Sequence, residues 1–400
     1  MSEDAKTRWL AVAALVAAGM IAAGHIFKLS PAMPVVRAAF GLDLVAGGWL
    51  FSTTNILAAL TGVAAGVTAD RFGYRRVLFF GLAIMAVASA LATLAAAPPL
   101  LFLCRLLEGA GFLSVVVSAP SLMVSETIPR DRPLALSWWT VYSPGGGSLT
   151  ILLAPQVLRL IGWQGLWLTL SGVALAVLTL LASMGLKGRP HHGTRGAPFH
   201  RTLIAAVRHP GPWCAAGAFA LYALQYVAVM AWLPSFLVAE RGLSIALAAA
   251  LTAVVMASNI SGNLLTGVLL RAGHRHGSLI TASSVLMAIS ALIIFSDLPD
   301  LARYLACVAL SATGGVLPAA VLASAPEIAP HPAYIGAVNG LIVQGTNMGL
   351  LAGPPALAAV VALSGQWNDG LWLFLIAAAG AAALGLALNK VTGAPQKPSL

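Results

Sequence analysis

The chain has 400 residues, of which 59% are hydrophobic and only 8% charged, and its formal net charge is +10. A soluble domain carries roughly 25% charged residues, so there is too little polar surface here to coat a water-soluble particle of this size. The basic balance would suit a nucleic-acid binder, but where the charges fall, set out below, excludes that class. Cys104, Cys214 and Cys307 lie in apolar runs at spacings that fit neither a metal site nor a disulfide framework. They read as small buried hydrophobes.

A helix of about 20 apolar residues spans the hydrocarbon core of a bilayer. Runs of that kind recur at 9–34, 45–69, 75–96, 99–124, 134–157, 164–186, 211–238, 245–271, 277–296, 301–325, 334–361 and 368–390. The predicted fold class is therefore an all-α membrane protein of twelve transmembrane helices. The first run is long and leads into further spans, so no cleavable signal peptide is expected.

Span one carries His25 and Lys28, followed by Pro31 and Pro34. Ionisable groups inside a span are costly and each is a functional candidate. Lys28 lies about 28 Å along its span at 1.5 Å per residue. It either faces inward and holds an anion or snorkels to the far interface. His25, one turn below, either shuttles protons near ambient pH or is a neutral hydrogen-bonding group. Asn55 lies in span two. The loop after that span reads Gly66-Val-Thr-Ala-Asp70-Arg71-Phe-Gly73-Tyr-Arg75-Arg76, and span four contains Arg105-Leu-Leu-Glu108-Gly109-Ala-Gly111. Arg105 and Glu108, three apart, share a helix face and can pair. If they do, Lys28 has no evident anionic partner.

Glu126 closes span four. Trp138 and Tyr142 lie in span five, with Gly145–Gly147 beyond them. A basic stretch, 187–210, contains His191, His192 and His200. It reads as a solvated cytoplasmic linker between an N-terminal six-helix bundle, 1–186, and a C-terminal one, 211–400. Metal binding by the three histidines is the alternative. Gln225 and Tyr226 lie in span seven, Asn259 and Asn263 in span eight, and Asn339, Gln344 and Asn347 in span eleven. Polar side chains in spans line a cavity or bridge helices.

Lysine and arginine counts set the orientation. With both termini cytoplasmic, the cytoplasmic segments hold sixteen and the opposite loops four, Arg37, Arg159, Arg241 and Arg303. The positive charge is thus topology, with some attraction to anionic lipid. A bacterial-type inner membrane with both termini inside is the expected location, and no nucleic-acid partner is expected. An offset of 201 residues matches Gly66 to Gly267, Glu126 to Glu327 and Pro129 to Pro330, and brings the basic stretch Arg71–Arg76 to within one residue of Arg271–His276. One offset serving separated regions implies two pseudo-symmetric bundles.

The Gly66–Arg76 loop resembles the GxxxDRxGxRR signature of the major facilitator superfamily, and Arg105–Gly111 resembles that superfamily's RxxxGxG motif. With twelve spans and a central linker, the resemblance covers the whole chain. It implies alternating access, with a substrate held between the halves near the midplane. It also implies a cytoplasmic gate in which Gly66 allows close packing, Gly73 a tight turn, and Asp70 a contact with a helix N-terminus. Arg71, Arg75 and Arg76 would pair with Glu126 or anchor the loop to headgroups. Span seven, Tyr222-Ala-Leu-Gln225-Tyr226 through Trp232-Leu-Pro234, is similar to cyanate and nitroimidazole-type porters, which carry a cation near the end of span one. The antiporter signature GxxxGPxxGG is absent from span five, where Ser143–Gly147 only echoes it.

The expected function is a secondary active transporter that takes up a small organic anion with protons. Lys28, His25, Arg105, Asn55, Trp138, Tyr142, Gln225, Tyr226, Asn339 and Gln344 would bind substrate, and Glu108 and His25 would carry the proton. A proton-driven exporter of a drug or metabolite is the alternative. No phosphate loop, metal-ligand cluster or nucleophile–base arrangement points to an enzyme, and a non-transporting sensor is the remaining class. No cofactor is expected, and the transporter is expected to act as a monomer.

Overall fold

The computed structural model describes residues 6–186, 208–331 and 334–393, with side chains omitted at 63–68, 70, 133 and 393. The expected cytoplasmic linker thus lies almost wholly outside the described residues. So do the side chain of Asp70 and the surroundings of Gly66 in the expected gate.

Within a bilayer every backbone N–H and C=O must find its partner inside the segment, which leaves helices as the economical solution for long apolar runs. The chain obeys this: among the described residues there are helices and short turns and no strand. In order the helices are α1 Trp9–Phe27, α2 Leu29–Phe40, α3 Leu44–Ser52, α4 Ile56–Phe72, α5 Tyr74–Ala92, α6 Pro98–Glu126, α7 Arg132–Trp139 and α8 Tyr142–Ser183. They continue as α9 Pro210–Arg241, α10 Ile245–Arg271, α11 His276–Ile294, α12 Asp300–Gly314, α13 Val316–Ile328, α14 Ile335–Ser364 and α15 Leu371–Gly393.

Among the described residues, eleven helical stretches are long and apolar enough to cross a membrane. One of them runs over 55 residues, Pro129–Ser183. At 1.5 Å per residue that is about 80 Å, more than twice the hydrocarbon thickness. The stretch turns back on itself at Ile161 and Gly162, whose backbone angles are not helical. It is therefore two spans, which brings the count among the described residues to the twelve expected.

The chain groups into two compact units. One is Met1–Gly193 with Val229–Ala257; the other is Thr194–Ala228 with Ser258–Leu400. In the first, α1 packs along α8 and α6, and α5 packs along α6 and α8. Its core includes Leu15, Ala18, Ala22, Leu82, Met85, Val115 and Ala119. In the second, α11 lies between α15 and the α12–α13 pair.

The two units repeat each other locally. Gly73 (φ +89°) turns the chain between α4 and α5, and Gly273 (φ +90°) does the same between α10 and α11. Only glycine tolerates that conformation cheaply. Glu126 ends α6, and Glu327 lies one residue before the end of α13.

A buried charge cluster and a resemblance at the level of family

Pro31 has no N–H to offer the Phe27 carbonyl, and Pro34 none for the Ser30 carbonyl. The hydrogen-bond ladder of the first span is accordingly broken next to Lys28, between α1 and α2, although Lys28 itself keeps helical backbone angles. Four ionisable side chains gather at this break, and His25, Lys28, Arg105 and Glu108 are all fully buried.

Glu108 is the hub. Its Oε2 accepts from Arg105 Nη1 at 2.7 Å. Its Oε1 accepts from Lys28 Nζ and lies 3.3 Å from His25 Nδ1. The idea that an Arg105–Glu108 pair strands Lys28 is corrected here, because one carboxylate has two oxygens and serves both cations. Lys28 does not reach for the interface either. Its Nζ also donates to Ser89 Oγ at 2.8 Å, lies 3.5 Å from His25 Nδ1, and sits 4.5 Å from the centroid of the Trp167 ring. Such a contact adds cation–π attraction where water is absent.

Arg105 does more than pair. Its Nη1 donates to the His25 carbonyl at 2.6 Å and its Nη2 to the Ile26 carbonyl at 3.1 Å. The guanidinium thereby braces the backbone next to the proline-induced break. α6 also packs closely on two other neighbours, the Thr53–Asn55 turn and α5. A Cβ on Gly109 would stand 2.1 Å from the Thr54 carbonyl oxygen, and one on Gly111 would stand 2.5 Å from that of Gly81. Both motif glycines are thus contact points with neighbouring helices.

Four of the sequence-predicted residues therefore come together, and Ser89 and Trp167 join them unforeseen. The other candidates are elsewhere. Asn55, buried, lies in the 3₁₀ turn Thr53–Asn55. Trp138 is exposed and packs its ring 5.2 Å from that of Trp9, while Tyr142 stacks on Trp139 at 4.3 Å. In the second unit, Tyr226 stacks on Tyr222 at 5.6 Å, and Gln225 Nε2 donates to the Leu221 carbonyl at 3.1 Å. Tyr222 Oη accepts from Asn259 Nδ2 at 2.9 Å, and Asn263 Nδ2 donates to Asn259 Oδ1 at 2.9 Å. Asn339 and Gln344 lie on α14.

At the C-terminal end of α6, Glu126 Oε2 accepts from Arg8 Nη1 at 2.9 Å, and Arg8 Nη2 donates to the Met184 carbonyl at 2.5 Å. Arg71, Arg75 and Arg76 are exposed, and the Arg75 guanidinium lies 5.4 Å from the Phe79 ring. In the second unit Glu327 Oε2 lies 3.1 Å from His276 Nδ1. Among the described residues no group of three or more histidine, cysteine, aspartate or glutamate side chains is arranged to hold a metal.

Comparison with known proteins places this arrangement. Residues 10–342 match the model of the Major Facilitator Superfamily. Two solved structures, a bacterial homologue of the human lysosomal transporter Spinster in inward-facing unoccupied and inward-facing occupied conformations, superpose with TM-scores of 0.76 and 0.75. They are 16% and 15% identical to this chain, covering 98% and 97% of it and 95% and 96% of themselves. At that identity the likeness is one of fold. Among curated proteins, the quinolone resistance protein NorB of Staphylococcus aureus strains JH9 and Newman is 27% identical over 158 residues. That alignment takes in 40% of this chain and 33% of NorB, so the chain spans about a third of the length of the relatives it matches. With the motif residues of α4 and α6, twelve spans and a family match over most of its length, this chain belongs to the Major Facilitator Superfamily.

Proposed function

We propose that this membrane transporter takes up a small organic anion, a carboxylate, together with protons, and that it sits as a monomer in an inner membrane with both termini cytoplasmic. The observation that carries the reading is the charge count of the buried cluster. Lys28 and Arg105 share one carboxylate, which leaves a formal charge of +1 when His25 is neutral. Among the described residues the buried carboxylates are Glu108 and Glu126, and Glu126 lies at the end of α6 with Arg8. Uncompensated charge in a low-dielectric interior favours an incoming counter-ion. A substrate carboxylate can take Lys28 from Glu108 without leaving Glu108 unpaired, because Arg105 remains. Carrying protons with the anion offsets its charge against the membrane potential, which costs about 2.3 kcal/mol per charge per 100 mV. The lysine and arginine bias of the loops supports the orientation.

The test is counterflow in proteoliposomes with a panel of mono- and dicarboxylates, comparing wild type with Lys28→Ala. That variant keeps the Arg105–Glu108 pair, so the fold is expected to survive. Wild type should exchange at least one carboxylate, and the variant should lose that exchange. Undiminished exchange by Lys28→Ala would remove Lys28 from the substrate site.

One observation favours a second reading, proton-driven export of a drug. It is the partial likeness to NorB, a quinolone resistance protein. Including a quinolone in the same panel separates the two: quinolone flux without carboxylate flux would favour the drug reading and overturn the carboxylate one.

A further inference from the structure

The charge cluster contains a geometrical conflict at one atom. Nδ1 of His25 lies 3.5 Å from the Lys28 ammonium, a donor, and 3.3 Å from Glu108 Oε1, an acceptor. A neutral imidazole carries its proton on one nitrogen or the other. With Nδ1 bare, it accepts from Lys28 and gains nothing from Glu108. With Nδ1 protonated, it donates to Glu108 and has nothing to accept from Lys28. Nδ1 therefore sits between two hydrogen-bonding states that exclude each other. The opposite nitrogen, Nε2, is buried and has no hydrogen-bond partner. A buried polar atom left unpaired is costly and calls for an explanation.

The rest of the cluster is fixed. Glu108 keeps one oxygen on Arg105, which stays protonated in proteins. Arg105 also holds the His25 carbonyl, so the backbone that carries the imidazole does not shift freely. The ammonium has three N–H groups and three acceptors, namely Glu108 Oε1, Ser89 Oγ and His25 Nδ1. Ser89 Oγ spends its own proton on the Trp167 carbonyl at 2.8 Å, so it must accept from Lys28. Of the three acceptors, His25 alone can pass a proton on from its far side. Cys104, on the same helix as Glu108, is the other buried titratable group on this stretch of α6.

We propose that Lys28 is the seat of the transported proton, that His25 is the port through which it exchanges, and that Glu108 stays ionised as their fixed counter-anion. In release, Lys28 Nζ passes a proton to bare Nδ1 while Nε2 gives its own proton to water. Lys28 becomes an amine, and His25 remains neutral with its proton now on Nδ1, donated to Glu108. The formal charge of the cluster falls from +1 to zero. Loading reverses each step: a proton binds Nε2, and the Nδ1 proton returns to the amine. The tautomer of His25 thus records whether Lys28 is charged. This moves the proton from Glu108, the sequence-based candidate, to Lys28. Its place in transport rests on the proton-linked reading above; the tautomer chemistry does not.

The experiment is nitrogen NMR on the purified full-length protein in lipid nanodiscs, labelled with ¹⁵N-histidine and ¹⁵N-lysine, with the His25 signal identified by its loss in His25→Asn. In wild type, with Lys28 an ammonium, Nδ1 should be bare and Nε2 protonated. In Lys28→Met the tautomer should invert, with Nδ1 protonated on Glu108. Hydrogen exchange of the Lys28 ammonium with solvent should slow about tenfold or more in His25→Phe, the scale expected when a positioned acid–base group is removed. A protonated Nδ1 beside a charged Lys28 in wild type would overturn the proposal, and this reading needs a variant only to assign the His25 signal. Unchanged ammonium exchange in His25→Phe would also overturn it. Neither readout involves flux, so failure of the transport reading would show in the liposomes while leaving these results intact.

Discussion

At the scale of single residues, the balance at Glu108 dominates. Breaking a buried ion pair by removing one partner costs about 3–5 kcal/mol, because the other charge is left uncompensated. Glu108→Gln strands two cations and should lower the thermal midpoint of the detergent-solubilised protein by more than Lys28→Met, which strands none. Combining the two should recover part of the loss, since only Arg105 is then without its carboxylate. A double variant no more stable than Glu108→Gln alone would show that Lys28 and Glu108 do not depend on each other. Half of this site was legible in the sequence. The Arg105–Glu108 pair follows from a spacing of three on one helix, and the cost of charge in a span singled out His25 and Lys28. That Lys28 reaches the second oxygen of the same carboxylate was not legible. It depends on how far α1 and α6 stand apart, between residues 80 positions apart in the chain. Ser89 and Trp167 carry no sequence signal, because a serine and a tryptophan in a span are ordinary.

At the scale of elements, the glycines of α6 let that helix, which carries Arg105 and Glu108, pack closely on the Thr53–Asn55 turn and on α5. A side chain at Gly109 would meet backbone rather than a yielding side chain. Overpacking of this kind costs typically 1–3 kcal/mol and more where nothing can move. Gly109→Val should therefore reduce both folded yield and carboxylate exchange, whereas Gly172→Ala, with open space around it, should be neutral in both. Equal behaviour of the two variants would detach the motif glycine from the site. The turn glycines were readable for a different reason. Gly73 sits between two long apolar runs in a basic loop, and φ +89° is a conformation that glycine adopts without strain. The partner of Glu126 was harder to read. Arginines 71, 75 and 76 were the natural candidates by charge, and the structure also brings Arg8, from just before α1, onto that carboxylate.

At the scale of the whole molecule, composition and periodicity carried nearly everything about the fold. The apolar runs, their number and their polar punctuation follow from the bilayer's thickness and its intolerance of unpaired backbone groups. Large apolar side chains such as Leu10, Leu160, Trp372 and Ile376 are more than 60% exposed, which suits contact with lipid tails and would be an aggregation hazard in water. Orientation can be checked directly. The native cysteines are buried, so a single introduced cysteine should report cleanly to a membrane-impermeant thiol reagent. In intact cells His274→Cys, on the turn between α10 and α11, should stay unlabelled, and Asp297→Cys, between α11 and α12, should be labelled. The reverse pattern would invert the topology.

The reversal at Ile161 and Gly162 has a consequence for how this chain is made. Gly162 adopts φ +68° with helix on both sides, so the two spans are joined with almost no hydrophilic residues to spare. With so short a connection, the two spans are expected to settle in the bilayer together, as one hairpin. For the same reason this corner offers no room for an epitope, a protease site or a reporter domain, while Gly273, in a turn flanked by polar residues, does.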